Sequence, residues 1–252
     1  MNRIPNIKMT KDEVDHLMCS QVFNYGGEAV VCYSERPDTL YKIFTERTYS
    51  KTPAVIRDNK REKIALLYRI KPEHSILPLR TISMNGEIIG YEMTTNSDFK
   101  TVIDLNLDRQ SLIHVLKQSR KVLLYYASLG IVYGDVKEDN ILFNPKTGEI
   151  MFCDMDNIQI SSYPIDILGY DLNYYEQCSG TLDAKADAYM HNLMTLEALY
   201  YKNDEYGQGI ISALRSHEFP PSLGSDATKT LASMANPKDF DGKYIIQYIK
   251  KK

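Results

Sequence analysis

The residues best suited to chemistry lie in one stretch of the second half of the chain, GIVYGDVKEDNILFNPKTGEIMFCDMD. Asp135 and Asn140 are five residues apart with Lys137 between them, and Asp154 follows Asn140 by fourteen residues. Carboxylate and amide oxygens are hard ligands of the kind that Mg²⁺ prefers. The stretch therefore predicts a polar site for a divalent cation, although a solvated, charged loop between two core strands would use the same residue types.

The elements that must position these residues are two short strands and two helices. The apolar runs ILFN and IMFCDMD, separated by the turn-forming residues 144–148, predict a small hairpin. Before it, SLIHVLKQSRKVLLYYASLG has the apolar period of an amphipathic helix, and Gly130 is a favourable residue for its end. After it, ADAYMHNLMTLEALYY predicts a second strong helix, and the polar tail predicts short helical pieces.

The first half of the chain is predicted to be mainly strands. EAVVCYSERPDTLYKIFTE is apolar and β-branched with a Pro-Asp break, which predicts a hairpin. KTPAVIRDNKREKIALLYRI has apolar residues at helical intervals, and Pro72 ends this predicted helix. ILPLRTISMNGEIIGYEMT predicts a second hairpin that turns at Asn85 and Gly86. A strand-rich N-terminal part with one helix, followed by a helical C-terminal part, predicts an α+β protein of two lobes. The boundary is predicted near Met93 to Asp98.

The polar stretch resembles the catalytic loop and metal-binding motif of protein kinases, which read HRDxKxxN, a short hairpin and DFG. The order of residue types and both spacings match. The resemblance implies an ATP-dependent phosphotransferase in which Asp135 accepts the hydrogen bond of the acceptor hydroxyl and Lys137 steadies the transferring phosphoryl group. Asn140 and Asp154 are then the Mg²⁺ ligands. Such catalysis rests on positioning and charge neutralisation more than on covalent chemistry.

The front of the chain offers partners for this motif. LYKIF resembles the family's VAIK, which implies that Lys42 contacts the α- and β-phosphates. In the following helix, Glu62 stands where the family has the glutamate that pairs with this lysine, and Glu73 is a rival beyond Pro72. The family's GxGxxG loop is matched only by Gly26 and Gly27, and a plain hairpin would use two glycines as well.

The resemblance extends over residues 26–240. IIGYEMTT resembles the strand that leads into the inter-lobe hinge, which implies that backbone groups of Glu92 and Met93 bind adenine. ADAYMHNLMTLEAL resembles the central helix of the large lobe, with Asp187 as the buried residue that anchors the catalytic loop. The expected fold is a single kinase-like domain over residues 1–252. It has a small β-rich N-lobe with one helix (about 20–94) and a larger helical C-lobe (about 95–252), with ATP and Mg²⁺ bound between them.

The sequence departs from the family at three places. Tyr133 and Gly134 replace His-Arg, so an arginine that normally binds a phosphorylated activation loop is missing. Met155 and Asp156 replace Phe-Gly. We expect Asp156 to be a surface residue in a turn, with an added carboxylate near the metal as the alternative. No clear APE motif follows Asp154, which leaves the platform for a protein substrate open.

Composition narrows the partners. A net charge of −3 argues against nucleic acid and anionic membrane as partners. The sequence shows no signal peptide and no apolar run of the roughly 18 residues that a membrane span requires. Four scattered cysteines without metal-ligand spacing are typical of reduced thiols. We therefore expect a cytoplasmic protein.

Three functions remain open at this level. The position of Lys137, two residues after the base, favours a Ser/Thr protein kinase. Gly134 fits small-molecule kinases of the aminoglycoside and choline kinase type, which often have HGD or HND at this place. A nucleotide-binding pseudokinase is the third possibility, and the presence of all four polar motif residues argues against it.

Overall fold

The computed structural model describes residues 4–45, 54–165, 182–201, 208–236 and 238–249. These residues form an α+β protein with six α-helices and eleven β-strands. The helices are α1 (Lys11–Ser20), α2 (Ala54–Ile70), α3 (Arg109–Ser128), α4 (Ala184–Tyr200), α5 (Gln208–Ser216) and α6 (Ser225–Met234). The strands are β1 (Asn6–Lys8), β2 (Val22–Tyr25), β3 (Ala29–Tyr33), β4 (Thr39–Phe44), β5 (Pro78–Met84), β6 (Glu87–Thr94), β7 (Lys100–Thr101), β8 (Ile131–Val132), β9 (Ile141–Phe143), β10 (Ile150–Phe152) and β11 (Gln159–Ile160).

The described chain divides into two compact units. The first unit holds the residues up to Ser97 together with the segment Cys153–Asp156. The second unit holds Asp98–Phe152 and the residues from Asn157 onward. The division after Ser97 falls in the stretch where the sequence analysis places the change from strands to helices. A short segment of the motif region thus belongs with residues that precede it by more than fifty positions.

The first unit is built on a mixed sheet of six strands in the order β1-β5-β6-β4-β3-β2. Its strands are antiparallel except for the β1–β5 pair. Both predicted hairpins are confirmed: β3 pairs with β4, and β5 pairs with β6. Asn85 and Gly86 have φ angles of 53° and 86°, which is the left-handed backbone that a two-residue turn of this type needs.

The helices of the first unit differ in how readily the sequence reveals them. The predicted α2 is confirmed, and it buries Ile64 and Leu67 completely. The sequence analysis did not predict α1. This helix begins with a capping box between Thr10 and Glu13, and Val14 is its buried residue. The capping box was the sequence signal that could have revealed this helix.

The second unit contains the two predicted long helices, α3 and α4, which pack against each other. Gly130 follows α3 with φ of 71°, as expected for a residue just beyond a helix end. The predicted small hairpin is confirmed as β9 and β10, and β7 adds a third strand to it. A separate two-stranded pair joins β8 to β11. Within the described ranges, no helix has the length and apolar character needed to cross a membrane.

Candidate active site

The loop after β8 brings three of the predicted residues together in the second unit. Asn140 Nδ2 donates a hydrogen bond to Asp135 Oδ2 at 2.7 Å and another to the Asp135 backbone oxygen at 3.0 Å. The Lys137 ammonium lies 2.8 Å from the same Asp135 Oδ2. A 3₁₀ turn over Glu138–Asn140 folds the loop back so that these contacts form. We call Asp135, Lys137 and Asn140, with the anchoring Asp187 described below, the catalytic-loop cluster.

The second carboxylate oxygen of Asp135 is the most informative atom of this cluster. Oδ1 is buried and has no hydrogen-bond partner among the described residues. A buried acceptor that lacks a donor costs about 1–3 kcal/mol. Lys137 and Asn140 contact the other oxygen, Oδ2, and hold the carboxylate in one orientation. Oδ1 can therefore accept a hydrogen bond from a bound molecule, for example from a hydroxyl group.

Asp187 anchors the start of this loop. It lies in the first turn of α4, and its two carboxylate oxygens accept hydrogen bonds from the backbone N–H groups of Tyr133 and Gly134 at 2.8 and 2.7 Å. Burial raises the pKa of Asp187 to about 7, although the two backbone N–H donors oppose that rise. The anchoring contact expected from the sequence is therefore present.

The backbone conformation explains why glycine occupies position 134. Its φ angle of 75° lies in the left-handed region that favours glycine. A Cβ atom at this position would collide with the side chain of Ile165. An arginine at position 134 would therefore be strained in its backbone and would have to displace the end of the Ile165 side chain.

The first unit contains a second charged cluster, centred on Lys42 in β4. The Lys42 side chain is only 6% exposed, and its ammonium lies 3.1 Å from Asp154 Oδ1 and 2.7 Å from Asp156 Oδ1. Burial lowers the pKa of Lys42, but Asp156, the nearby Tyr91 phenol and Asp154 outweigh it, so this pKa lies well above its usual value. Lys42 is therefore a firmly charged cation. We call Lys42, Lys60, Asp154 and Asp156 the lysine cluster.

Asp156 is not the surface residue that the sequence analysis expected. Its side chain is 1% exposed. Oδ1 also accepts a hydrogen bond from the Tyr91 hydroxyl at 2.6 Å, and Oδ2 lies 3.0 Å from the Lys60 ammonium. Burial alone would raise the pKa of Asp156, but the two ammonium groups hold it well below its usual range. The expectation failed because the partners of Asp156 come from distant parts of the sequence.

The expected pair of Lys42 and Glu62 is also absent from the described residues. Glu62 is exposed on α2, and the carboxylates that contact Lys42 are Asp154 and Asp156. The described buried charges on this helix are instead Lys60 and Lys63, and the Lys60 ammonium also lies 3.5 Å from Glu28 Oε2. Helical periodicity explains the difference, because residues 60, 64 and 67 share one face at i, i+4 and i+7, and residue 62 points elsewhere. The rival Glu73 is exposed beyond the end of α2.

The remaining predicted residues lie in the sheet of the first unit. Gly26 and Gly27 lie between β2 and β3, where the Gly26 N–H donates to the Ala29 oxygen at 2.9 Å. Glu92 and Met93 lie inside β6, each flanked by residues of β4 and β5. Their backbone groups therefore face neighbouring strands, and this position does not suit the expected contact with adenine.

The buried Glu92 side chain has its own ionic partners. Arg80 donates to both Glu92 oxygens at 2.6 Å, and Arg36 Nη1 donates to Oε2 at 3.2 Å. Burial would raise the pKa of Glu92, but these guanidinium groups lower it below its usual value. This arrangement ties β6 to β5 and to the turn before β4, which is a stabilising role.

The two predicted metal ligands each offer a suitable oxygen within their own unit. Asp154 has φ of 54° and a side chain that is 44% exposed, and its Oδ2 makes no hydrogen bond within the described residues. Both hydrogen bonds of the Asn140 amide leave from Nδ2, so Oδ1 is available to a ligand. Carboxylate and amide oxygens are chemically suited to Mg²⁺. In the described part of the chain, no group of three His, Cys, Asp or Glu residues could hold a metal ion by itself.

Comparison of the sequence with protein-family models found no matching family, and comparison with curated proteins found no match. The function therefore has to be inferred from the residues and contacts of the two clusters. Sequence reasoning missed Lys60 and the contact made by the Tyr91 hydroxyl, and it favoured a surface position for Asp156. For Lys60 a signal existed, because it lies on the apolar face of α2, whereas nothing in the local sequence shows which groups contact Asp156 or the Tyr91 hydroxyl.

Proposed function

We propose that this protein is an ATP-dependent, Mg²⁺-dependent phosphotransferase with a kinase-like fold, most simply a protein Ser/Thr kinase. In this proposal the first unit corresponds to the small lobe of a kinase domain and the second unit to the large lobe. The acceptor is a hydroxyl group, and the donor is the γ-phosphoryl group of ATP. The resemblance of the motif region to protein kinases supplies the reaction class, and the geometry of the two clusters supplies the support.

The observation that carries the proposal is the state of Asp135. One carboxylate oxygen is held by Lys137 and Asn140, and the other is a buried acceptor with no partner among the described residues. Asp187 holds the backbone of the two preceding residues. A carboxylate held in this way can accept the proton of a hydroxyl group while that group attacks phosphorus.

The other residues take roles that suit their environments. Lys137, beside the base, would stabilise negative charge on the phosphoryl group as it is transferred. Lys42, which is buried and firmly charged, would contact the α- and β-phosphates. Asn140 and Asp154 would hold Mg²⁺, which neutralises phosphate charge when it is bound.

A small-molecule kinase is the second candidate, and Gly134 favours it. The left-handed backbone of Gly134 disfavours the arginine that binds a phosphorylated activation loop, and any side chain there would have to displace the end of the Ile165 side chain. Enzymes that act on metabolites have no need of that arginine. The acceptor class therefore has to be determined by experiment.

The test is incubation of the purified protein with γ-labelled ATP and Mg²⁺, first alone, then with a generic protein acceptor, then with a panel of hydroxyl-bearing metabolites. Label on the chain itself or on the added protein supports the protein kinase. Label only on a metabolite supports the second candidate. Nucleotide binding without transfer to any acceptor would overturn the catalytic proposal in favour of a binding module.

A further inference from the structure

The charged side chain that α2 contributes to the lysine cluster is a cation, whereas a lysine–glutamate pair would require a carboxylate from this helix. The buried charged residue of α2 that reaches Asp156 is Lys60, a cation, and it lies 3.0 Å from Asp156 Oδ2. The acidic residue nearby on the helix, Glu62, is exposed. Glu62 is therefore not the group that holds Lys42 in place.

Asp156 is the centre of the cluster. Asp156 Oδ1 accepts hydrogen bonds from the Lys42 ammonium at 2.7 Å and from the Tyr91 hydroxyl at 2.6 Å, and Oδ2 forms an ion pair with the Lys60 ammonium at 3.0 Å. Two ammonium groups that are 6% and 9% exposed need a buried counter-charge, because an unpaired buried ion is strongly unfavourable. Because Oδ1 accepts two hydrogen bonds, Oδ2 faces the Lys60 ammonium and the side chain is 1% exposed, Asp156 is also poorly placed to bind a metal ion.

Asp154 has the opposite character. It is 44% exposed and contacts Lys42 through Oδ1 alone. In the proposed function this residue must serve both Lys42 and Mg²⁺, and a carboxylate that turns toward a metal loses part of its hold on the lysine. Asp156 resolves that conflict, because it keeps its contact with Lys42 whichever way Asp154 turns.

We propose that Asp156 is the positioning residue for Lys42, and that Lys60 is the counter-cation that keeps the Asp156 carboxylate in place and connects it to α2. The inference rests on the proposed function. Lys60 extends the connection to Glu28, the residue after Gly27, at 3.5 Å, and its ammonium lies 4.6 Å from the centre of the Phe44 ring. The chain of contacts Glu28–Lys60–Asp156–Lys42 thus joins the glycine turn, α2, the segment Cys153–Asp156 and β4, all within the first unit.

The test measures Mg²⁺–ATP affinity by calorimetry and the KM for ATP separately from kcat, in the full chain. Asp156→Asn should weaken nucleotide affinity about ten- to hundredfold, the scale seen when a residue that orients a ligand-binding group is removed. Glu62→Gln should leave affinity unchanged. Lys60→Met should weaken affinity, Lys60→Arg should restore most of it, and Arg61→Met is the matched control for loss of an exposed cation from the same helix.

Thermal stability measured without nucleotide shows whether a variant loses affinity only because it unfolds. In the nucleotide-free protein, the double variant Lys60→Met with Asp156→Asn should lose less thermal stability than the sum of the two single variants, because each single substitution leaves the other buried charge with one counter-charge fewer. If Asp156→Asn does not fold, the comparison of Lys60→Met, Lys60→Arg and Glu62→Gln decides the question.

The outcomes separate this inference from the function on which it rests. A wild-type protein that binds Mg²⁺–ATP, with loss of affinity in Asp156→Asn and none in Glu62→Gln, supports the inference. Loss in Glu62→Gln with none in Asp156→Asn or Lys60→Met overturns it while the proposed function stands. A wild-type protein that binds no nucleotide overturns the proposed function itself.

Discussion

The catalytic-loop cluster and the lysine cluster differ in how their contacts relate to the sequence. In the catalytic-loop cluster, Asp135 is contacted by residues two and five positions away, and only the Asp187 anchor is distant. In the lysine cluster, Lys42 is joined to Asp154 and Asp156 across 112 and 114 positions. The first set of contacts follows from one loop conformation, whereas the second depends on which residues a folded sheet and helix bring together.

This difference has a consequence for function. In a loop that makes its own contacts, the arrangement of Asp135, Lys137 and Asn140 depends on their spacing in the sequence. In a cluster assembled from distant elements, the arrangement depends on charge balance among buried side chains, as the pairing of Lys60 with Asp156 illustrates. We therefore expect substitutions in the catalytic-loop cluster to affect the chemical step, and substitutions in the lysine cluster to affect nucleotide binding and stability.

The largest effect is expected for Asp135→Asn. The substitution keeps the shape of the side chain but removes the acceptor strength of Oδ1, so turnover should fall by a factor on the order of 10²–10⁴. Initial transfer rates at saturating Mg²⁺–ATP measure it, with Asp139→Asn as the neighbouring control. Transfer at the wild-type rate would show that Asp135 is not the base.

Asp187 offers a test of the anchor through pH. Its pKa in the folded protein is raised from 3.8 to about 7, so it stays protonated while the unfolded chain ionises. Asp187 therefore makes its full contribution to the unfolding free energy below about pH 4, and this contribution is lost as the pH rises toward 7. For a pKa shift of this size the unfolding free energy changes by about 4 kcal/mol. We expect the unfolding free energy of the wild type, minus that of Asp187→Asn, to fall over this interval in denaturant titrations. A difference that is independent of pH would contradict the raised pKa.

A smaller effect is expected for Lys42→Ala. Loss of the phosphate-contacting ammonium should lower turnover at least about tenfold, equivalent to about 1.4 kcal/mol of transition-state stabilisation. Steady-state rates at several ATP concentrations measure the change. A rate that recovers at high ATP would show that the variant has lost affinity for ATP. Full activity in this variant would remove Lys42 from the site.

The smallest effect is expected in the segment after β11. Because glycine stands at position 134 in place of a phosphate-binding arginine, activity should not require phosphorylation of Ser161, Ser162 or Tyr163. Replacing them with Ala, Ala and Phe should leave the rate of the dephosphorylated protein within a few-fold. A large loss of activity that an acidic substitution reverses would show that another cationic residue binds the phosphorylated segment.

The sequence predicted those parts of the fold that depend on strong local signals. The Asn85–Gly86 turn, the apolar period of α2 and the glycine at the end of α3 led to elements that the structure confirms. The strand β1 was beyond reach, because three residues at a sheet edge carry almost no periodic signal. The contacts among Asp135, Lys137 and Asn140 follow from their spacing in one loop.

The lysine cluster was predicted less well, for reasons that can be stated physically. Family order suggested Glu62, although the helical period around Ile64 and Leu67 places Lys60 on the buried face instead. Asp156 resembled a turn residue because aspartate is common in turns, and only the folded structure shows the two ammonium groups that make its burial tolerable. The choice of a partner across more than a hundred residues is a tertiary property.

The most direct test of this account compares Asp135→Asn with Asp154→Asn in one calorimetric experiment with Mg²⁺–ATP. Asp154 is proposed to bind the metal, so its loss of charge should weaken Mg²⁺-dependent nucleotide binding as well as turnover. Asp135 is proposed to serve the acceptor hydroxyl, so Asp135→Asn should bind the nucleotide with nearly wild-type affinity while it fails to transfer. Equal loss of affinity in both variants, or normal binding by both together with a wild-type protein that transfers to no acceptor, would contradict the division of roles on which the proposed function depends.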